Sequence, residues 1–333
     1  MRTDEPAPRR RRWPVVLLTV VAAVSTSGLV LLAAVGGPGV GHFRTPEDRQ
    51  AYEEAYAEAL GHLPEPTETH EVETSFGTVR AYAWVDEQHP DATPVVLLPG
   101  RSAAVPMWGD NLPDYIEHRT VYAFDTLGDT GLSQQSVAMR DIGDAARWVD
   151  EAMAGLAIER AHLVGHSQGG GLAAAVAVRH PERLASLTLL EPVLTLGMMP
   201  LSIILTTIPV SLPFFPDSWR ASALNRIGGV SDDEVDPDDP LARMIAVGSA
   251  SYSSSGLPSP SVLSDTDLEA LPMPVYVAIA SGSSLAGGEA AAEKAQLIPD
   301  AQIKIWPDTT HSLPMQVAPA LDAELETFWS AHE

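Results

Sequence analysis

Apolar and polar positions along this chain change period several times, and each change marks an element. Residues 46–60 carry Tyr52, Tyr56 and Leu60 at helical spacing with glutamates between them, which predicts an amphipathic helix. Pro64 and Pro66 then break the chain. Residues 78–85 alternate as one strand, while 94–99 form the short, unbroken apolar run of a strand covered on both faces. Residues 120–124 are the next strand, followed by a turn-rich loop at 125–133 and a helix from about 137 to 156. A buried strand at 161–165 leads into a small-residue helix at 168–180, and strands at 187–190, 275–280 and 303–306 complete the series. Strands alternating with helices predict an α/β fold: a mostly parallel, doubly wound sheet covered on both faces.

The gap between the strands at 187–190 and 275–280 is too long for a simple crossover. Its first part, 194–215, is apolar but punctuated by Pro200, Pro209 and Pro213; 231–240 is acidic and 249–260 serine-rich. This pattern predicts a cap inserted over the C-terminal edge of the sheet, its apolar half either packing on the core or lining an acyl pocket. The prolines argue against a second membrane span there. The predicted organisation is a basic N-terminus with an anchor or signal segment at 1–41, a helical lead-in at 42–71, a core in two parts at 72–191 and 274–333, and the cap at 192–273.

The N-terminus differs in kind from the body. Arg9 to Arg12 precede an uncharged, mostly apolar run at 13–35, about 34 Å long as a helix, which is enough to span a bilayer. The basic cluster favours a cytoplasmic N-terminus, so the expectation is a transmembrane signal anchor with the body outside the cytoplasmic membrane. A signal peptide cleaved near Ala34 to Gly36, giving a secreted protein, is the alternative. Composition narrows the partners. The 333 residues are 45% hydrophobic and carry a formal charge of −24, concentrated in the body because the N-terminus is basic. Such a surface repels nucleic acid. Cysteine is absent, which removes disulfides, thiolate metal sites and a cysteine nucleophile.

The chemistry centres on Gly165-His166-Ser167-Gln168-Gly169, set between the buried strand and the small-residue helix. A serine hydroxyl is a weak nucleophile until a turn exposes it and a base takes its proton. Glycines two before and two after Ser167 remove the Cβ atoms that would clash in so tight a strand-to-helix turn. Ser167 is the predicted nucleophile.

Four segments in order make the chain resemble the α/β-hydrolase fold superfamily over residues 72–333, the cap excepted. Val95-Val96-Leu97-Leu98-Pro99-Gly100 is similar to the strand and His-Gly loop that supplies an oxyanion donor, with Pro99 where histidine is usual. Residues 125–133 resemble the family's Asp-x-x-Gly-x-Gly-x-Ser loop, with Asp129 and Thr130 between Gly128 and Gly131. Gly165 to Gly169 matches the nucleophile elbow, and Trp306 to Ser312 resembles the strand and loop that deliver the catalytic histidine.

The resemblance implies roles. His311 is the expected general base, and His166 is expected to point away into packing. The backbone N–H groups of Arg101 and Gln168 are the expected oxyanion donors, while the Arg101 side chain is expected to pair with a surface carboxylate. The family's usual acid position holds Ser284, which leaves three readings: Glu191 at the end of the strand at 187–190, Asp308 three residues before His311, or no acid. Glu191 is the preferred choice. The expected activity is serine hydrolysis of a carboxylic ester or similar acyl bond on a small molecule, without metal or organic cofactor. The alternatives are a catalytically weakened binding protein, or a C–C hydrolase or cofactor-free haloperoxidase on the same fold.

Overall fold

The computed structural model describes residues 39–200, 219, 222, 223, 226 and 238–333. The apolar run at 13–35 and the greater part of the apolar stretch at 194–215 lie outside these residues. No helix among the described residues is long and apolar enough to cross a membrane. Eleven strands occur along the described chain: β1 (His42–Phe43), β2 (Glu68–Thr74), β3 (Gly77–Trp84), β4 (Val95–Leu98), β5 (Val121–Phe124), β6 (Gln134–Gln135), β7 (Ala161–His166), β8 (Leu184–Leu190), β9 (Tyr252–Ser253), β10 (Val275–Ala280) and β11 (Ala301–Trp306). The longer helices are α1 (Pro46–Leu60), α2 (Ile142–Gly155), α3 (Gln168–Arg179), α4 (Pro240–Ser251), α5 (Glu289–Ala295) and α6 (Ala318–Ser330).

The main sheet runs β11-β10-β8-β7-β4-β5-β3-β2, with β6 paired to β3. Strands β11 to β5 are parallel, and β3, β2 and β6 add antiparallel pairs at one edge. Side chains alternate between two cores. Val96, Leu98, Leu163, Val275 and Val277 pack with α2, α3 and α5, while Val95, Leu97, Val164, Tyr276 and Ala278 pack with α1, α4 and α6. Because both faces are covered, the central strands are apolar at nearly every position.

Three elements depart from the sequence expectation for identifiable reasons. Helix α2 begins at Ile142 rather than near 137, because the Asp141 carboxylate accepts from Gly143 N and Asp144 N and so caps the helix there. Strand β2 carries only one buried residue, Val72, so it shows no apolar alternation by which to find it. Helix α4 starts inside the acidic stretch, where Pro240 takes the first turn and Asp239 accepts from Ala242 N.

Candidate active site

Ser167 caps the sharp turn between β7 and α3 with φ +55° and ψ −118°, a sparsely populated conformation that costs an L-residue about 1–3 kcal/mol. Two glycines make the turn possible. A Cβ on Gly165 would overlap the Gly169 carbonyl, and one on Gly169 would overlap the carbonyl oxygen of Leu98. The backbone N–H of Ser167 donates to Leu190 O at 3.0 Å, which ties the elbow to the end of β8.

His311 arrives on the loop after β11. Its Nε2 lies 2.8 Å from Ser167 Oγ and its Nδ1 lies 3.2 Å from Glu191 Oε2. A carboxylate only accepts, so Nδ1 carries the proton and Nε2 is left with a lone pair facing the serine hydroxyl. The structure therefore brings together Ser167, His311 and Glu191, three residues far apart in sequence.

Glu191 is fully buried and has φ +48° immediately after β8. Its Oε1 accepts from Ala280 N and from Ser284 Oγ, both at 2.7 Å, and its Oε2 accepts from Leu285 N at 2.9 Å. These donors hold one carboxylate orientation and compensate for burying it. Ser284, at the family's usual acid position, instead donates to the acid that arrives from β8. Asp308 is exposed and stands outside this chain of bonds: its own N–H donates to Ser281 Oγ at 2.9 Å.

His166 is buried as expected, but it does not point away. Its Nε2 donates to the His311 carbonyl at 2.9 Å, and the two rings pack with centroids 4.8 Å apart. Burial, with the neighbouring His311 adding to it, pushes the His166 pKa down to about 3, so the ring is neutral and acts as a fixed prop. The elbow brings residue 166 under the histidine loop, and no feature of the pentapeptide signals that contact.

Gly100 lies against the elbow: a Cβ there would sit 3.3 Å from Ser167 Cβ and 2.9 Å from His166 Nδ1. Its N–H donates to Met107 Sδ at 3.2 Å, and the Ser102 N–H donates to Asp129 Oδ2 at 2.8 Å, which leaves the Arg101 N–H between two anchored neighbours. Gln168 is the first residue of α3, so its N–H has no acceptor within the helix. The Arg101 side chain is exposed, and among the described residues it forms no ion pair. Its charge instead acts on Asp129, partly offsetting the burial that raises that carboxyl above its usual range. Asp125 is also buried, accepts from Val105 N, Leu132 N and Tyr56 Oη at 2.7–3.0 Å, and is pushed up to about 6 by burial. No cluster of three or more His, Asp or Glu suited to a metal occurs among the described residues.

A doubly covered parallel sheet with a serine elbow between strand and helix defines an α/β-hydrolase. The fold is the α/β-hydrolase fold, and the family model described as alpha/beta hydrolase fold matches residues 93–242. The chain is 25% identical over 291 residues to carboxylesterase YbfK of Bacillus subtilis, covering 82% of this chain and 92% of that protein. The crystal structure of that carboxylesterase (CesB) superposes with a TM-score of 0.77 at 24% identity, covering 85% of this chain and 98% of the other. Naproxen esterase of Bacillus subtilis superposes with a TM-score of 0.77 at 22% identity, covering 86% and 99%.

Proposed function

We propose that this protein hydrolyses carboxylic esters of small molecules by a serine mechanism. The observation that carries the reading is the bonded series Ser167 Oγ, His311 Nε2, His311 Nδ1 and Glu191 Oε2, with separations of 2.8 and 3.2 Å. Ser167 Oγ attacks the ester carbonyl carbon while Nε2 of His311 takes the hydroxyl proton. The carbonyl oxygen becomes an oxyanion, met by the backbone N–H groups of Arg101 and Gln168. Collapse expels the alcohol, which receives the proton from His311 and leaves an acyl-serine. Water then repeats the sequence in reverse roles and releases the acid. Glu191 fixes the tautomer of His311 and stabilises the imidazolium that forms twice in each cycle.

The names of the relatives, carboxylesterase and naproxen esterase, support an ester as the substrate. Against the alternative of a catalytically weakened binding protein stands the carboxylate bonded to His311. Residues 192–273 are read as the cap that selects the acyl and alcohol groups. The N-terminal apolar run is read as a signal anchor that tethers the body to the outer side of the cytoplasmic membrane, since Arg9 to Arg12 precede it. The nucleophile is tested with a fluorophosphonate probe, which should label the wild type and leave Ser167→Ala unlabelled. Equal labelling of both proteins refutes the assignment.

A further inference from the structure

We infer that residues 254–258 act as a strap that fixes both oxyanion donors, with Asp129 and the Gln168 side chain as the positioning residues that transmit its grip. The inference rests on the ester-hydrolase reading for the role of Arg101 and Gln168, and it concerns what holds those two N–H groups in place.

Three contacts carry it. Ser254 Oγ donates to Asp129 Oδ1 at 3.2 Å, while the other oxygen of the same carboxylate accepts from Ser102 N at 2.8 Å. One buried side chain thus joins the strap to the residue after Arg101. Four residues further along, Pro258 O accepts from Gln168 Nε2 at 2.9 Å, so the strap also holds the residue that follows the nucleophile. Between them, Gly256 O accepts from Gln135 Nε2 at 3.3 Å, and a Cβ on Gly256 would overlap Gln135 Oε1. The strap lies this close because Gly256 has no side chain.

The loop it steadies cannot rest in this shape by local preference. Ser102 has φ +59° and Ala104 φ +49°, conformations that L-residues adopt only when their surroundings hold them there. Asp129 holds Ser102 N, and Asp125 Oδ1 holds Val105 N at 3.0 Å. Both carboxylates come from the loop in which this chain departs from the family pattern, Asp129 standing with Thr130 between Gly128 and Gly131. A donor aimed at a developing oxyanion works because it is already in place before charge develops. The strap supplies that preorganisation, and it belongs to the cap, so the docking of the cap is read out at the reacting carbonyl.

Asp129→Ala and Gln168→Ala cut the two ties separately, and Gln168→Ala keeps its backbone N–H. Each is expected to lower kcat on a p-nitrophenyl ester about 10- to 100-fold, with KM within about threefold, because an oxyanion donor acts on the transition state. Asp129→Asn keeps one acceptor and should fall between the wild type and Asp129→Ala. Amide hydrogen exchange at residues 100–105 should rise in Asp129→Ala. A merely structural role would lower the melting temperature while leaving kcat per folded enzyme unchanged. Unchanged kcat in both alanine variants, or unchanged exchange at 100–105, overturns the inference. If the wild type neither hydrolyses esters nor takes the fluorophosphonate, the ester reading fails, and the exchange measurement alone decides whether the strap holds the loop.

Discussion

At Glu191, a single carboxylate replaces an acid that the sequence lacks at its usual place. Its position at the end of β8 and the Ser284 hydroxyl 2.7 Å from its Oε1 act together: the serine is small enough to leave room and polar enough to donate. Glu191→Gln should therefore leave KM nearly unchanged and lower kcat by about three to four orders of magnitude, as loss of the orienting acid does in a serine protease. Asp308→Asn, on the exposed side of the loop, should change kcat by less than about twofold. Steady-state hydrolysis of the same ester measures both, and a large loss in the second with none in the first would move the acid to Asp308. Ser284→Asp tests the pairing from the other side. It sets a second carboxylate against the first, where two like charges cannot both remain ionised, so turnover should fall rather than rise.

The elements were legible in the sequence wherever their signal was local. The elbow announces itself because only glycine fits at 165 and 169, and the doubly covered strands announce themselves as apolar runs. The antiparallel β2, half-exposed and rich in Glu and Thr, carries no such signal. The preference for Glu191 over Asp308 rested on resemblance and not on a local signal: it depends on where β8, β10 and the loop after β11 converge, and no single stretch of sequence encodes that meeting. The glycines give the element-scale test. Gly169→Ala forces a methyl group into the carbonyls of Leu98 and Pro99, so it should cost about 3 kcal/mol or more in chemical denaturation. Gly61→Ala, at the C-cap of α1 with φ −64° and ψ −10°, meets only ordinary contacts at 3.4 Å. It should be neutral, or stabilising by about 0.5 kcal/mol, because it restricts the unfolded chain without straining the fold. Equal losses at the two positions would mean that the elbow does not need its glycine.

Over the whole molecule, buried carboxylates of opposite behaviour set the response to pH. Asp144 is held well below the usual carboxylate range, first by its hydrogen bond to Arg140; its contribution is present above about pH 4 and is lost as acid protonates it. Asp125 and Asp322 run the other way. Burial, aided by the neighbouring Asp114 and Asp110 and opposed by hydrogen bonds from Tyr115 and Asn111, lifts Asp322 from 3.8 to about 7. Asn111 Nδ2 donates to Asp322 Oδ1 at 2.9 Å and to Pro314 O at 3.0 Å, which ties α6 to the turn after His311. Asp322 also lies beside the buried Tyr115 hydroxyl, which lowers its pKa against the effect of burial. Burial is the largest of these effects, so the neutral, protonated acid is the form that this site favours. Because the folded state keeps that proton after the unfolded chain has released it, stability falls as pH rises from about 4 through about 7. Asp322→Asn removes the titration and keeps the site neutral at every pH. Its melting temperature should exceed that of the wild type at pH 8, and the gap should close toward pH 5. A gap of constant size across that range would show that Asp322 is ionised in the folded protein throughout.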